Sequence, residues 1–329
     1  MALHIVDFVR RRAQERYKDW RERIAVGAAV DIKDVEKMLE ARDPAVVRAL
    51  FELMGRGGQR RLVKTALYNN LRSLFFICLN EPARHYAMCG PTGIGKTFCV
   101  QHLLSEFEES QQEEERGYIP RVAYLYVSEY GNRKSTIMQD VAEAFRFPSL
   151  DGSTAGRRQY KRLVSHFRER HGNLLVIDEA QRLDYGAIEA LRGLMDQTPL
   201  SMLFIGSNEF RDRLTKSKLD GEVYGQFIRR IEWSTPVNHA TTNDVREFLG
   251  VYGIEATKPE AAQLANVIKD WGDLSTLYAA LCLLGKTSKG DEMSWRGLGA
   301  GRVLEAVESI IDMQRFKPVR EKTEAKEAA

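Results

Sequence analysis

Cysteine is scarce in this 329-residue sequence, and long apolar runs are missing. Its four cysteines form no Cys-x-x-Cys pair and lie among apolar neighbours, which excludes a disulfide scaffold and predicts reduced core thiols in a cytoplasmic protein. The longest apolar runs, residues 73–79 and 278–284, are far shorter than the about 20 residues that a membrane-spanning helix needs. The apolar stretch at the N-terminus precedes the basic residues 10–12, which is the reverse of the order in a signal peptide.

A large excess of charge of either sign is also missing, since the net charge is only +3. Residues 1–80 contain 16 Lys and Arg against 10 Asp and Glu, so this part is basic and the remainder is slightly acidic. A basic segment fits a nucleic-acid contact, and it fits a solvated helix face equally well. With 43% hydrophobic and 29% charged residues, the composition is that of a globular chain of about two domains.

The apolar pattern divides the chain. Residues 1–72 predict a helical N-terminal segment with helices at 34–42 and 45–53, which fits a helix-turn-helix or a helical bundle. In residues 73–238 short apolar runs alternate with helical stretches, which predicts an α/β unit with a parallel sheet. The runs are residues 84–89, 122–127, 174–177, 202–205 and 231–237.

The strands stop after this unit. Residues 239–317 predict a small α-helical lid, with helices opening at Thr242 or Asn243, at Pro259, at Asp273 and at Leu298. Residues 318–329 contain no apolar side chain larger than Val, and we expect this tail to be disordered.

The strongest chemical signal fits the pattern GxxxxGK[ST], and it lies between an apolar run and a helical stretch, as the motif requires. Backbone N–H groups of such a loop cradle phosphates at a helix N-terminus. We expect Lys96 to reach the β- and γ-phosphates of ATP and Thr97 to coordinate Mg²⁺. The loop residues are Gly90, Pro91, Thr92, Gly93, Ile94, Gly95, Lys96 and Thr97.

A second signal is a pair of acids, Asp178 and Glu179, that directly follows the apolar run 174–177. A buried central strand would present both carboxylates at its carboxyl end, beside the phosphate loop. Asp178 is the candidate ligand of Mg²⁺, and Glu179 is the candidate general base that polarises the attacking water.

Together the two motifs resemble those of the AAA+ ATPases. The resemblance implies a P-loop core with a parallel five-stranded sheet of order 5-1-4-3-2. It also implies a polar sensor at the end of strand 4, for which Ser207 and Asn208 are candidates and Asn208 is preferred. An arginine finger would stand just before strand 5 and reach the neighbouring subunit's nucleotide. Arg229 and Arg230 both qualify, and Arg230 is slightly preferred.

The segments 89–97, 174–180, 191–192, 203–206 and 227–231 resemble more narrowly the ATP-dependent regulators of DNA transposition, the family of the phage Mu B protein, TnsC, TniB and IstB. The resemblance covers about residues 70–290. It implies a ring or helical filament that assembles with ATP on duplex DNA and disassembles on hydrolysis. Its implied partners are a transposase and, in some systems, a target-selecting protein, and the tail would be a candidate transposase-docking peptide.

One residue departs from the AAA+ pattern. Many AAA+ proteins have a sensing arginine in the lid, where this sequence has Ser275. We therefore expect hydrolysis to be slow and to depend on the oligomer or on DNA.

Two basic segments are candidates for DNA contact. The first lies in the turn after strand 2, where an ordinary helix cap is the alternative. The second has the composition of an amphipathic surface helix, which is the alternative there. Neither suggests the reading of base edges, so binding would be salt-sensitive with little sequence preference. The candidates are Arg133, Lys134, Ser135 and Thr136 in the first segment, and Arg157, Arg158 and Lys161 in the second.

Two other functions share the nucleotide motifs. A helicase loader or replication initiator would also bind DNA, and it would show affinity for a helicase or for single strands. A signalling ATPase would usually carry long sensor repeats, which this sequence lacks.

Overall fold

Five strands form one parallel sheet, as the alternating pattern predicted. They are β1 (His85–Cys89), β2 (Val122–Tyr126), β3 (Leu174–Asp178), β4 (Ser201–Gly206) and β5 (Glu232–Trp233). In this computed structural model their order is β2-β3-β4-β1-β5, which confirms the expected order 5-1-4-3-2 and the α/β class. Ala87 of β1 pairs with Phe204 of β4, and Leu125 of β2 pairs with Ile177 of β3.

Two compact units make up the chain: Lys64–His239 is one, and Met1–Val63 with Ala240–Ala329 is the other. In the part of the chain that the structure describes, no helix is long and apolar enough to cross a membrane. The helix predicted at 45–53, except for Val46, and the tail 318–329 lie outside the described residues. The structure describes residues 10, 13–14, 18–40, 46, 61–110, 120–128, 133–152, 154–216, 221–287, 293–295 and 297–315.

Helices cover both units. They are α1 (Trp20–Ala28), α2 (Val35–Glu40), α3 (Ala66–Asn80), α4 (Lys96–Ser110), α5 (Lys134–Ala144), α6 (Ala155–Phe167), α7 (Tyr185–Gln197), α8 (Asn208–Lys216), α9 (Gly221–Ile228), α10 (Thr242–Val251), α11 (Lys258–Ile268), α12 (Leu274–Leu284) and α13 (Ala300–Arg315). A 3₁₀ turn, Ala180–Arg182, follows β3, and a short antiparallel pair, Lys286–Thr287 with Met293–Ser294, follows α12.

Burial explains which strands were easy to predict. Every residue of β3 and β4 is buried, because helices cover both faces of a parallel sheet, and their sequences therefore read as continuous apolar runs. The edge strand β5 is shorter than the predicted run 231–237. Beyond Trp233 the chain soon reaches Pro236, which has no N–H group to donate to the neighbouring strand.

Helix α3 belongs to the unit that contains the sheet. The hydroxyl of Thr65 accepts the N–H of Tyr68 (3.4 Å) and caps its start. Phe75 of this helix packs edge-to-face against Phe107 of α4, with ring centroids 5.9 Å apart. The domain boundary that the sequence placed after residue 72 therefore falls inside a helix that packs in the core of this unit.

The other unit contains the helices predicted for the lid. Thr241 and Thr257 cap α10 and α11 through reciprocal bonds with acids three residues later. Helix α12 follows the buried Asp273, whose Oδ1 accepts the N–H of Ala240 (3.1 Å). Arg61, which precedes the sheet in the sequence, donates its N–H to the Tyr252 hydroxyl (3.1 Å), so part of the N-terminal segment packs in this unit.

All four cysteines are buried thiols, none of them in a disulfide, as the sequence predicted. Burial raises the pKa of Cys89 to about 11, and the pKa values of Cys78 and Cys99 to about 12. At neutral pH these thiols stay protonated, so they act as packing groups rather than as nucleophiles.

Candidate nucleotide-binding site

A glycine-rich loop, Gly90 to Gly95, connects β1 with α4, and the last two residues of the predicted phosphate loop, Lys96 and Thr97, begin that helix. Gly95 has a φ of 103°, a left-handed conformation that residues with a side chain rarely adopt. At Gly90 a Cβ atom would lie 2.7 Å from the Cβ of Val237. The loop therefore requires glycine at one position for its conformation and at the other for close packing.

Lys96 begins α4, and its side chain turns back over the loop. The Nζ atom donates to the carbonyl oxygens of Gly90 (2.9 Å) and Pro91 (2.7 Å). These bonds hold the ammonium within the curve of the loop, where phosphate oxygens bind in loops of this kind. Thr97 follows in the first turn of α4, near the positive end of the helix dipole. The strand, loop and helix that the motif requires are all present.

Asp178 ends β3 and is 1% exposed. Its Oδ2 accepts the hydroxyl of Tyr124 on β2 (2.9 Å), and its Oδ1 accepts the N–H of Glu179 (2.8 Å). Burial, followed by the nearby Asp178 carboxylate, raises the pKa of Tyr124, so the phenol remains a donor. The sequence did not single out Tyr124, because nothing local marks it as the partner of an acid 54 residues later.

Glu179 lies just beyond the strand in a left-handed backbone conformation, with a φ of 59°. Its Oε2 accepts two hydrogen bonds, from Nε2 of Gln181 (2.7 Å) and from Nε of Arg182 (3.3 Å). The Oε1 atom of Gln181 in turn accepts the N–H of Ser207 (3.0 Å). The sequence did not indicate Gln181 as a candidate site residue, and its position two residues after the acid pair is the only local signal of it.

The end of β4 holds both sensor candidates. The Ser207 hydroxyl is buried, and it has no hydrogen-bond partner among the described residues. Asn208 is exposed at the first position of α8. Parallel strands end at one edge of a sheet, so both residues lie on the edge that carries the phosphate loop and the acid pair.

The two finger candidates differ in their surroundings. Arg230 is bound to Asp196 through Nε and through Nη2 (3.1 Å), and it also donates to the Gln226 carbonyl. Arg229 is exposed, and no described residue forms an ion pair with it. The pairing with Asp196 therefore engages Arg230, the preferred candidate, whereas Arg229 is open to solvent.

The two predicted DNA segments meet at one cleft of about 780 Å³. Arg133, the N-cap residue of α5, and Arg157 of α6 both line it, together with Arg192 of α7. Thr136 is engaged within its own helix, where its Oγ1 accepts the N–H of Arg133 (3.2 Å). The side chains of Lys134 and Ser135 lie outside the described residues.

Helix α6 presents its three arginines and one lysine in two pairs. Arg158 donates to the carbonyl of Asp151, and Arg162 donates to that of Pro148 (3.1 Å), so both hold the loop that precedes the helix. Arg157 and Lys161 are exposed one helical turn apart, and neither is paired with a described residue. Of the three candidates in this segment, Arg158 therefore has a structural task, and Arg157 and Lys161 are open to solvent.

Comparison with known proteins agrees with this geometry. Residues 79–214 match the family described as AAA domain. The Mu-like prophage FluMu DNA transposition protein B of Haemophilus influenzae is 24% identical over 185 residues, which cover 56% of this chain and 58% of that protein. The match thus spans less than two thirds of the relative's length.

One solved structure shows the same fold. The ORC2 protein of Aeropyrum pernix, in its ADPNP–ADP complexes, aligns with a TM-score of 0.51 and 16% identity over 78% of this chain and 71% of that chain. CDC6P from Pyrobaculum aerophilum aligns with a TM-score of 0.47 and 16% identity over 70% of this chain and 62% of that one. The AAA domain match, the strand order and the phosphate loop together show that this part of the chain has the AAA+ P-loop fold, and they point to an ATPase.

Proposed function

We propose that this ATPase is a cytoplasmic regulator of DNA transposition, which assembles with ATP on duplex target DNA and recruits and stimulates a transposase. A target-selecting protein is a further candidate partner. The similarity to a Mu-like prophage DNA transposition protein supports the reaction context. The observation that carries the DNA-binding part is the shared cleft of Arg133 and Arg157, since two separate basic segments converge there.

The donor set fits ATP with Mg²⁺. The Lys96 ammonium is held where β- and γ-phosphate oxygens would replace the loop carbonyls as its acceptors. Each Asp178 oxygen accepts one protein hydrogen bond and keeps a lone pair for a metal ion or its water. Mg²⁺ held by Thr97 and Asp178 would neutralise charge on the phosphates. Glu179 orients the attacking water and accepts its proton.

In this proposal ATP binds between subunits. One subunit supplies the phosphate loop, and Ser207 or Asn208 contacts the γ-phosphate. The next subunit supplies Arg229, whose guanidinium stabilises charge on the phosphoryl group in transfer. Because ATP then binds the assembled form more tightly than the free subunit, it favours a ring or helical filament by mass action. Hydrolysis removes that preference and releases the subunits from DNA.

The DNA contact is made through the sugar–phosphate backbone. Arg133, Arg157 and Lys161 are cations at or beside the cleft, and such side chains neutralise phosphates whatever the base sequence. Each neutralised phosphate contributes about −0.9 to the slope of log affinity against log salt.

Fluorescence anisotropy on a long duplex, with and without ATP and Mg²⁺ at two salt concentrations, tests the proposal. We expect salt-sensitive binding that requires ATP and is lost in Lys96→Ala, with rings or filaments in electron micrographs of the same samples. If no nucleotide condition gives duplex binding, the proposal is wrong. A preference for single strands or for a helicase would favour a loader instead.

A pair of double variants locates the DNA surface. Arg157→Ala with Lys161→Ala removes the two open cations, and we expect the salt slope to fall in magnitude by about 2. The control is Arg168→Ala with Arg170→Ala, which removes the same charge at two exposed positions after the end of α6. Equal slopes for the two double variants would mean that only net charge matters and that the cleft is not the DNA site.

A further inference from the structure

The side chain of Gln181 connects two parts of the nucleotide site. Its Nε2 donates to Glu179 Oε2 (2.7 Å), and its Oε1 accepts the N–H of Ser207 (3.0 Å). An amide has one end that donates and one that accepts, so this single side chain satisfies a carboxylate and a backbone N–H at the same time. A carboxylate or an alkyl chain at this position could satisfy at most one of them.

The backbone of Gln181 is held as well. Nη1 of Arg213 on α8 donates to the Gln181 carbonyl (2.9 Å), so α8 and the residue before it contact Gln181 at two points. At Gly206 a Cβ atom would lie 3.0 Å from Gln181 Oε1, so the absence of a side chain there leaves room for the amide. The 3₁₀ turn of Gln181 is therefore tied to the end of β4 and to α8.

We infer that Gln181 is a positioning residue, which fixes the orientation of the Glu179 carboxylate relative to the two sensor candidates, Ser207 and Asn208. The inference rests on the role that the proposed function gives to Glu179. A general base must present one oxygen to the attacking water, and the other must be held if that oxygen is to point correctly. Here both hydrogen bonds hold Oε2, and the inference assigns Oε1 to the attacking water.

The connection also gives a path from nucleotide to base. A γ-phosphate that draws Ser207 or Asn208 toward it moves the N–H group that holds Gln181, and Gln181 moves the carboxylate. Arg182 supplies a second, longer bond to Glu179 from within the same turn. The Gln181 side chain joins the candidate base, Glu179, to the backbone of the candidate sensor, Ser207.

Single-turnover hydrolysis of ATP with protein in excess and no DNA tests the inference apart from the DNA-binding proposal. Gln181→Leu removes both hydrogen bonds of the amide. We expect the rate constant to fall roughly 10- to 100-fold, as it does when a catalytic group is misplaced. The protein concentration that gives half of the maximal rate should stay within about threefold of wild type. Gln263→Leu, at an exposed position of α11, is the matched control and should leave both values unchanged.

Gln181→Glu provides a readout that a merely structural role would not move. The variant has nearly the shape of glutamine and keeps an acceptor for the Ser207 N–H, but its carboxylate cannot donate to Glu179 Oε2. If Gln181 only packed in this turn, the change would leave hydrolysis unaltered. If it holds the Glu179 carboxylate, the single-turnover rate constant should fall roughly 10-fold while nucleotide affinity stays within about threefold of wild type.

The outcomes separate the two ideas. If Glu179→Gln hydrolyses ATP normally, the role of Glu179 is wrong, and the inference falls with it. If Glu179→Gln is inactive while Gln181→Leu stays within twofold of wild type, or if Gln181→Glu hydrolyses ATP as fast as wild type, the inference alone is overturned. Gln181→Glu is nearly isosteric with wild type, so it keeps the test decisive even if Gln181→Leu loses nucleotide binding.

Discussion

His85 should make the unit that contains the sheet sensitive to mild acid. The residue starts β1, is 7% exposed, and its Nδ1 has no hydrogen-bond partner among the described residues. Burial lowers the pKa of His85 from 6.5 to about 4, against a smaller opposing effect of Asp196 and with a small contribution from Arg230. Between pH 6.5 and pH 4 the imidazole therefore stays neutral in the folded protein, whereas in the unfolded chain it binds a proton.

The size of the effect follows from linkage. The stabilisation is complete above pH 6.5, where His85 is neutral in both states, and it is lost as the pH falls toward 4. At pH 5, which is about 1.5 pH units below the pKa of His85 in the unfolded chain, protonation stabilises the unfolded state by 1.36 kcal/mol for each of these units. We therefore expect His85 alone to cost about 2 kcal/mol of the free energy of unfolding between pH 7.5 and pH 5.

Urea denaturation at both pH values measures this loss. Because the chain has two units, the relevant transition is the one that ADP shifts to higher urea. His85→Leu should lose about 2 kcal/mol less than wild type on acidification, and His171→Leu, at an exposed position, should behave as wild type. Equal losses in wild type and His85→Leu would refute the argument that the buried imidazole resists protonation.

Further outcomes follow from the nucleotide site. Arg229→Ala should lower DNA-stimulated ATP hydrolysis at least 10³-fold, as loss of an arginine finger does. Arg230→Ala should cost at most about 1 kcal/mol of stability and retain most activity, because the ion pair that it removes is a third exposed. The opposite ranking of the two variants in a steady-state ATPase assay would restore Arg230 as the finger. Glu179→Gln should slow hydrolysis at least 10²-fold and leave the polymer on DNA after excess ATP is removed, so disassembly as fast as in wild type, followed by light scattering, would show that hydrolysis does not govern release.

The phosphate loop and the acid pair could be predicted because each depends on residues that are close together in the sequence. The phosphate loop requires a strand, a tight turn and a helix within about 15 residues, and all of these can be read from neighbouring positions. The acid pair was predictable for the same reason, because it directly follows the apolar run of β3 in the sequence. The strand order came from the family resemblance rather than from spacing, and the sheet confirms it.

Contacts between distant residues could not be predicted in the same way. Four basic side chains of α6 look alike in the sequence, yet the loop carbonyls of Pro148 and Asp151 bind Arg162 and Arg158 and leave the other two open. The role of Gln181 could not be predicted for the same reason, because its amide oxygen accepts a backbone N–H 26 residues away. Such roles follow from the packing of α8 and the loops, which no periodicity reveals.

Asp196 shows how one distant carboxylate decides an assignment. It accepts from Arg230, which precedes β5, and from Arg192 on its own helix (2.9 Å). An arginine held in two bonds by a carboxylate must break both before it can reach a phosphate, and breaking them leaves the acid with one cation fewer. Arg229 carries no such cost among the described contacts. The sequence slightly preferred Arg230 of the two adjacent arginines, and its ion pair with Asp196 favours Arg229 instead.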